Sequence, residues 1–186
     1  MTKLNEIKKE LLPLVRKEAW LKLPEPIQLS SGKMSDRYFD GRKITLHPRG
    51  MNLFARAILE MADLAKIDAV GGPSIGADPI ATAVSLIAFL EKKKEIPAFL
   101  VRKEPKRYGL QKQVEGADLK PGMSVLIVED VVTSGQSILN AISAVEANGA
   151  KIAQVICLLD RDEGGSAALH PYPFACVFKR SEVEAP

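Results

Sequence analysis

The apolar positions of the chain fall first into a helical rhythm. Leu4, Ile7, Leu11, Leu14 and Val15 recur at three- and four-residue spacing, which predicts a helix over 3–19. Pro13 inside it predicts a kink or a break into two short helices, because proline removes a backbone donor and crowds the preceding turn. Residues 27–47 lack this rhythm and read as irregular or β-like, with turn formers in SSGKMSD. MNLFARAILEMADLAKI (51–67) returns to helical spacing and predicts an amphipathic helix.

Beyond residue 67 the pattern alternates. DAVGG (68–72) predicts a short strand and PIATAVSLIAFLEKK (79–93) a helix, with Pro79 suited to its first turn. PAFLVRK (97–103) predicts a second strand, followed by a charged loop to about residue 120. SVLIV (124–128) predicts a third strand and SILNAISAVEAN (137–148) a helix that stops at Asn148-Gly149, where glycine can take the left-handed conformation. KIAQVICLLD (151–160) predicts a fourth strand, and FACVF (174–178) is a candidate fifth. Strands alternating with helices in this way predict an α/β fold with a mostly parallel sheet covered on both faces. Ligands of such sheets sit at the carboxyl ends of the strands. The loops to read are therefore those after Gly71, Val101, Val128 and Leu159.

Composition narrows the class. At 186 residues, 46% hydrophobic and 26% charged, the chain fits one globular domain over 1–186 with a real core. A net charge of +3 is too small to argue for nucleic acid. Neither of the two cysteines, Cys157 and Cys176, belongs to a metal-ligand pattern, and Cys157 in VICLL reads as a buried thiol. MTKLNEIKKE lacks the apolar core of a signal peptide, and IATAVSLIAFL is too short to span a bilayer. A cytoplasmic protein with reduced thiols is expected, with no membrane or nucleic-acid partner. His47 and His170 have no partner pattern and are expected to be structural or surface residues.

VLIVEDVVTSGQS (125–137) carries the chemistry. A strand turning tightly into a helix presents unpaired N–H groups and the positive end of the helix dipole. Thr133, Ser134 and Ser137 add hydroxyls, and Gly135 lets the backbone come close to a ligand. A phosphate monoester suits this cradle. A Walker-B strand end would need a Walker A motif, but the one Gly-Lys pair, Gly32-Lys33, is followed by Met34, and Ile27 stands where the first glycine belongs. GxGxxG is absent as well. A plain turn with solvent-exposed acids stays open as an alternative. Glu129 and Asp130 at the entrance make sense if the ligand also bears vicinal hydroxyls, since carboxylates accept hydrogen bonds from them and can orient waters around magnesium. A sugar phosphate is implied.

VRKEPKRYGLQKQVEG (101–116) is the second candidate. Between Arg102 and Lys112, the cations Arg102, Lys103, Lys106, Arg107 and Lys112 face only Glu104 in charge. A solvated charged loop, or a nucleic-acid patch, is the bland reading. At the same sheet edge as the phosphate loop, however, these donors suit a pyrophosphate group, and arginine supplies a bidentate fork.

EDVVTSGQS resembles the phosphoribosyl pyrophosphate (PRPP) loop of the type I phosphoribosyltransferases. The resemblance implies that Glu129 and Asp130 hold the ribose hydroxyls and that Val131, Val132, Thr133, Ser134, Gly135, Gln136 and Ser137 bind the 5-phosphate. RKxxKxxG followed by VEG is similar to the mobile catalytic loop of the orotate phosphoribosyltransferase family. That implies pyrophosphate binding by Arg102, Lys103 and Lys106, with Lys106 the main catalytic cation and Arg102 and Asp130 also catalytic. Gly109 would let such a loop move. The family typically has histidine at Tyr108, which can donate one hydrogen bond here but carries no positive charge at neutral pH.

LSSGKMSDRYFDGRKITLHP (29–48) matches the family's amino-terminal hood, making Tyr38 and Phe39 candidates for contact with orotate. A split between core and surface is the plainer reading of that pair. Some members carry lysine at Ser30, so that contact does not transfer. GGPSIGADPIATAVS (71–85) fits the loop that approaches pyrophosphate through backbone amides, with Gly71, Gly72 and Gly76 permitting close approach. Arg161 in LLDRDEGG matches the arginine that, with the loop threonine, here Thr133, binds orotate's carboxylate. The resemblance therefore implies transfer of phosphoribose from PRPP to orotate. It further implies Mg²⁺ held mainly through PRPP and water, with no direct side-chain ligand, and a homodimer in which loop 102–116 completes the neighbour's site. A phosphoribosyltransferase for another base, or a non-enzymatic PRPP-sensing regulator, are the alternatives. The hood and Lys106 weigh against them.

Overall fold

The computed structural model describes residues 2–28, 34–104 and 113–185. Helix α1 (Lys3–Leu14) runs through Pro13 and then widens into a π-helical turn over Val15–Ala19. The expected disturbance is thus a change of winding just after the proline. Strands β1 (Trp20–Gln28) and β2 (Met34–Phe39) form an antiparallel hairpin, separate from the main sheet. β1 is an addition to the sequence reading. A short helix α2 (Arg42–Thr45) leads into α3 (Pro48–Met61), whose N-cap is His47: its Nδ1 accepts the Gly50 N–H at 3.2 Å. The helix expected over 51–67 ends at Met61, and Leu64–Lys66 form a separate 3₁₀ turn.

The main sheet contains β3 (Ala69–Pro73), β4 (Ala98–Val101), β5 (Val114–Gly116), β6 (Ser124–Val132), β7 (Lys151–Asp160) and β8 (Phe174–Lys179). Their spatial order is β5-β4-β3-β6-β7-β8, all parallel except β5, which runs against β4. Helices α4 (Ala77–Lys92) and α5 (Gln136–Ala147) provide the crossovers, with short α6 (Gly165–Ala168) and α7 (Arg180–Glu184) near the end. Pro79 stands third in α4, within the first turn as expected. Gly149, at φ +80°, ends α5 as the sequence implied.

Alternation along β6 separates two cores. Leu126 and Val128 pack with residues of α1, α3 and α4, while Val125 and Ile127 pack with α5 on the opposite face. The fold class is the one expected. Cys157 and Cys176 are register partners on β7 and β8 and are free thiols, both pushed up in pKa by burial. Among the described residues, no helix is long and apolar enough to cross a membrane.

The chain order reverses between β3 and β6, which lie side by side although β4 and β5 fall between them in sequence. A crevice forms at such a switch point because the connections leave on opposite faces.

Candidate active site

A cavity of about 680 Å³ opens at that point, at the carboxyl ends of β3, β4 and β6. One change from the sequence reading concerns its floor. β6 continues four residues past Val128, so Glu129 and Asp130 are strand residues, held in place by pairing of Glu129 with Cys157 and of Val131 with Leu159 on β7. Their backbone is fixed by the sheet rather than by a loop.

The two carboxylates converge on Gly76 at the start of α4. A Cβ there would stand 2.1 Å from Glu129 Oε1 and 3.4 Å from Asp130 Oδ1. Gly41 presses on Asp130 from the hairpin side, where a Cβ would lie 2.5 Å from Oδ2. A side chain at either glycine would have to push a carboxylate aside. Glu129 is 6% exposed, and its Oε1 accepts the Asp130 N–H at 3.1 Å. Burial pushes the Glu129 carboxyl well above its usual range, and the Asp130 charge raises it further. Burial raises Asp130 too, opposed by hydrogen bonding from the Glu129 side chain and the Val131 backbone and by the Arg42 charge.

The anion loop follows directly. Gly135 adopts φ +80° and caps α5, and Leu139 N–H donates to its carbonyl at 3.0 Å. The first N–H groups of α5 face the cavity end without partners inside the helix. Thr133 is half-buried, while Ser134, Gln136 and Ser137 are exposed. All residues from Glu129 to Ser137 line the cavity, including the largely buried Val132. Gly165 backs the loop: a Cβ there would meet Val132 Cγ1 at 2.4 Å and the Thr133 carbonyl at 2.6 Å.

Arg102 and Lys103 stand on the opposite rim. The Arg102 guanidinium pairs with Glu115 at 3.1 Å, and its backbone is stitched to Gln113: Arg102 N–H donates to Gln113 O at 2.9 Å, and Gln113 Nε2 donates to Arg102 O at 3.0 Å. Lys106, Tyr108 and Gly109 lie outside the described residues. The hood candidates Tyr38 and Phe39 both line the cavity. Phe39 is also core, 3% exposed with its ring 6.3 Å from that of Trp20, and Tyr38 is half-buried, the split that the alternation of β2 allows.

Arg161 is placed apart from the other candidates. Its backbone N–H donates to Val132 O at 3.0 Å, beside the anion loop, but its guanidinium turns to Glu163 and is not among the cavity-lining groups. Gly71 and Gly72 serve packing, since Cβ atoms there would meet the carbonyls of Phe99 and Val128 at 2.2 Å. The sequence reading passed over Asp40 and Arg42, which line the cavity as an ion pair at 3.4 Å. It also passed over Ser74, whose hydroxyl donates to Asp78 at 2.8 Å, and over Gln113 and Asn140. Asp40 and Arg42 lie inside the matching segment 29–48, Ser74 inside 71–85 and Gln113 inside 101–116, so a signal existed for these. Asn140 carries none.

Paired acids, an N-terminal anion cradle and basic residues around a switch-point crevice define an α/β protein built for a phosphorylated sugar. The Phosphoribosyl transferase domain family matches residues 42–176. The chain is 38% identical to the orotate phosphoribosyltransferase of Aquifex aeolicus, over 95% of this chain and 97% of that one. It is 43% identical to that of Thermococcus gammatolerans, over 83% and 80%. Its fold superposes on the crystal structure of Mycobacterium tuberculosis orotate phosphoribosyltransferase in complex with Fe(III) dicitrate with a TM-score of 0.82 at 34% identity, covering 96% and 99% of the two chains. A structure of the same mycobacterial protein with PRPP gives 0.78 at 31% identity, again covering 96% and 99%. The chain belongs to the orotate phosphoribosyltransferase family of phosphoribosyltransferases.

Proposed function

We propose that this chain transfers the 5-phosphoribosyl group of PRPP to orotate, giving orotidine 5′-monophosphate and pyrophosphate. The observation that carries the reading is the junction of β6 and α5, where two carboxylates and an anion cradle are contiguous. The 5-phosphate sits at Thr133–Ser137 and the ribose hydroxyls at Glu129 and Asp130. The orotate nitrogen attacks the anomeric carbon as the bond to pyrophosphate breaks, so no side chain serves as a covalent nucleophile. Positioning and charge stabilisation supply the rate. Arg102, Lys103 and Lys106 draw off the charge of the leaving group. Tyr38 and Phe39 wall the base side, and Arg161 with Thr133 takes the orotate carboxylate, which requires the guanidinium to present a free N–H beyond its Glu163 contact.

Magnesium fits this donor set. Among the described residues no group of three or more His, Cys, Asp and Glu could hold a metal, whereas Glu129 and Asp130 can orient waters around an ion whose own ligands are PRPP oxygens and water. Mg²⁺ bound there would offset negative charge on the pyrophosphate. We extend the reading to a cytoplasmic homodimer in which loop 102–116 completes the neighbour's site.

Protein, orotate, PRPP and Mg²⁺ mixed together should consume orotate, followed as loss of its ultraviolet absorbance. No loss with orotate, but turnover in a panel of other bases, would overturn the choice of base and leave the class intact.

A further inference from the structure

The pair formed by Arg161 and Glu163 is incomplete. Arg161 Nε donates to Glu163 Oε1 at 3.0 Å, and the two side chains are 5% and 7% exposed. A face-to-face guanidinium–carboxylate pair would use both oxygens. Here Arg161 Nη2 and Glu163 Oε2 are both buried with no hydrogen-bond partner. A buried charged donor left in this state is unfavourable, and the natural remedy is an acceptor from a ligand.

The backbone is shaped to hold this skewed contact. Asp162, between the two residues, adopts φ +54°, and its N–H donates to Asp160 Oδ1 at 2.9 Å. Left-handed geometry is uncommon outside glycine, though tolerated best by Asp and Asn. Arg180 approaches the same oxygen, its Nη1 lying 3.8 Å from Glu163 Oε1. Arg180 is itself fixed by Glu184 at 3.0 Å and lies over the Trp20 ring at 5.9 Å. Trp20 in turn touches Phe39 on the cavity wall. A line of contacts thus joins the hood to the end of β7.

We propose that Glu163 is the positioning residue for base recognition: it grips Arg161 by Nε, with Arg180 beside the same carboxylate oxygen, so that Nη2 is reserved for the anionic substituent of the base. This rests on the proposed orotate reading. Glu163 touches no substrate itself, and its effect passes through Arg161. Selectivity for a base bearing a carboxylate over the same ring without one then depends on a residue outside the cavity lining.

The test compares wild type with Glu163→Gln and with Arg180→Ala, using orotate and uracil, the same ring lacking the carboxylate. Glu163→Gln should raise KM for orotate at least about tenfold, the scale of one charge-assisted hydrogen bond. The values of kcat and of KM for PRPP should stay within about twofold, a split that marks lost ground-state binding. Preference for orotate over uracil should fall by the same factor, and Arg180→Ala should shift it in the same direction by less. If Glu163→Gln fails to fold, Arg180→Ala with a reduced orotate preference sustains the proposal, and an unchanged preference overturns it. Unchanged orotate KM and preference in a folded Glu163→Gln variant overturn the positioning role alone. Absence of orotate turnover in wild type overturns the functional reading as well.

Discussion

Gly41 of the hairpin side rests directly on the carboxylate of Asp130, with space for hydrogen but not for a methyl group: a Cβ would lie 2.8 Å from both Cβ and Cγ of the aspartate. The amino-terminal segment is therefore in contact with the acid that the ribose is proposed to use. Gly41→Ala should displace Asp130 at a cost of about 1–3 kcal/mol, the usual scale of overpacking. Titration calorimetry should show weaker PRPP binding, and thermal unfolding a lower midpoint. Unchanged PRPP affinity would separate Asp130 from the ribose.

Glu129 makes ligand-free stability depend on pH. Its folded pKa lies above its ordinary 4.5 because of burial first and the Asp130 charge second. The folded chain therefore binds the extra proton. Its stabilising effect is fully present below about pH 4.5 and is lost as pH rises through the folded value. Glu129→Gln removes that loss. At neutral pH the variant should melt higher, by roughly 2–4 °C for each kcal/mol regained, while binding PRPP more weakly. The stability difference from wild type should shrink on acidification, and parallel melting curves from pH 4 to 8 would refute this account.

The anion loop has its own support in Gly165, packed against Val132 and the Thr133 carbonyl. Backbone cannot yield as a side-chain tip can. Gly165→Ala should raise KM for PRPP by roughly tenfold, about 1.4 kcal/mol, with a smaller effect on orotate. Equal changes for both substrates would show a general loosening instead.

Lys106 is expected to act on the leaving group. Lys106→Ala should lower turnover by roughly a hundredfold, the scale of removing one preorganised donor, with orotate binding by calorimetry nearly unchanged. Equal turnover in variant and wild type would remove the lysine from catalysis. Tyr108→His should leave activity unchanged or raise it, and a collapse would show that the phenol has a task of its own.

How far the sequence showed all this varied by element. β7 was legible to the residue, Lys151–Asp160, since a long apolar run ending at a charged turn admits few other readings. β1 was not, because Pro24 and Pro26 interrupt it and it pairs only with β2, outside the main sheet. β5, three residues long, carries too little pattern to announce itself. The reach of β6 through Glu129 and Asp130 was hidden because charged residues end a hydrophobic run before the pairing with β7 ends. In the site, Glu129 to Ser137 could be read because they are contiguous. Ser74 and Gln113 lie in loops the sequence did single out, but their individual places, like that of Asn140 on α5, are set by packing that no single stretch encodes. The Arg161–Glu163 contact depends on the left-handed turn at Asp162, which local sequence permits but does not demand.

The reciprocal backbone and side-chain bonds between Arg102 and Gln113 set a leash on whatever lies between them. Arg102 and Gln113 thereby form one fixed post on the cavity rim, opposite the start of α5. Any subunit that is to share the basic residues of this edge has to bring its own cavity mouth to that post.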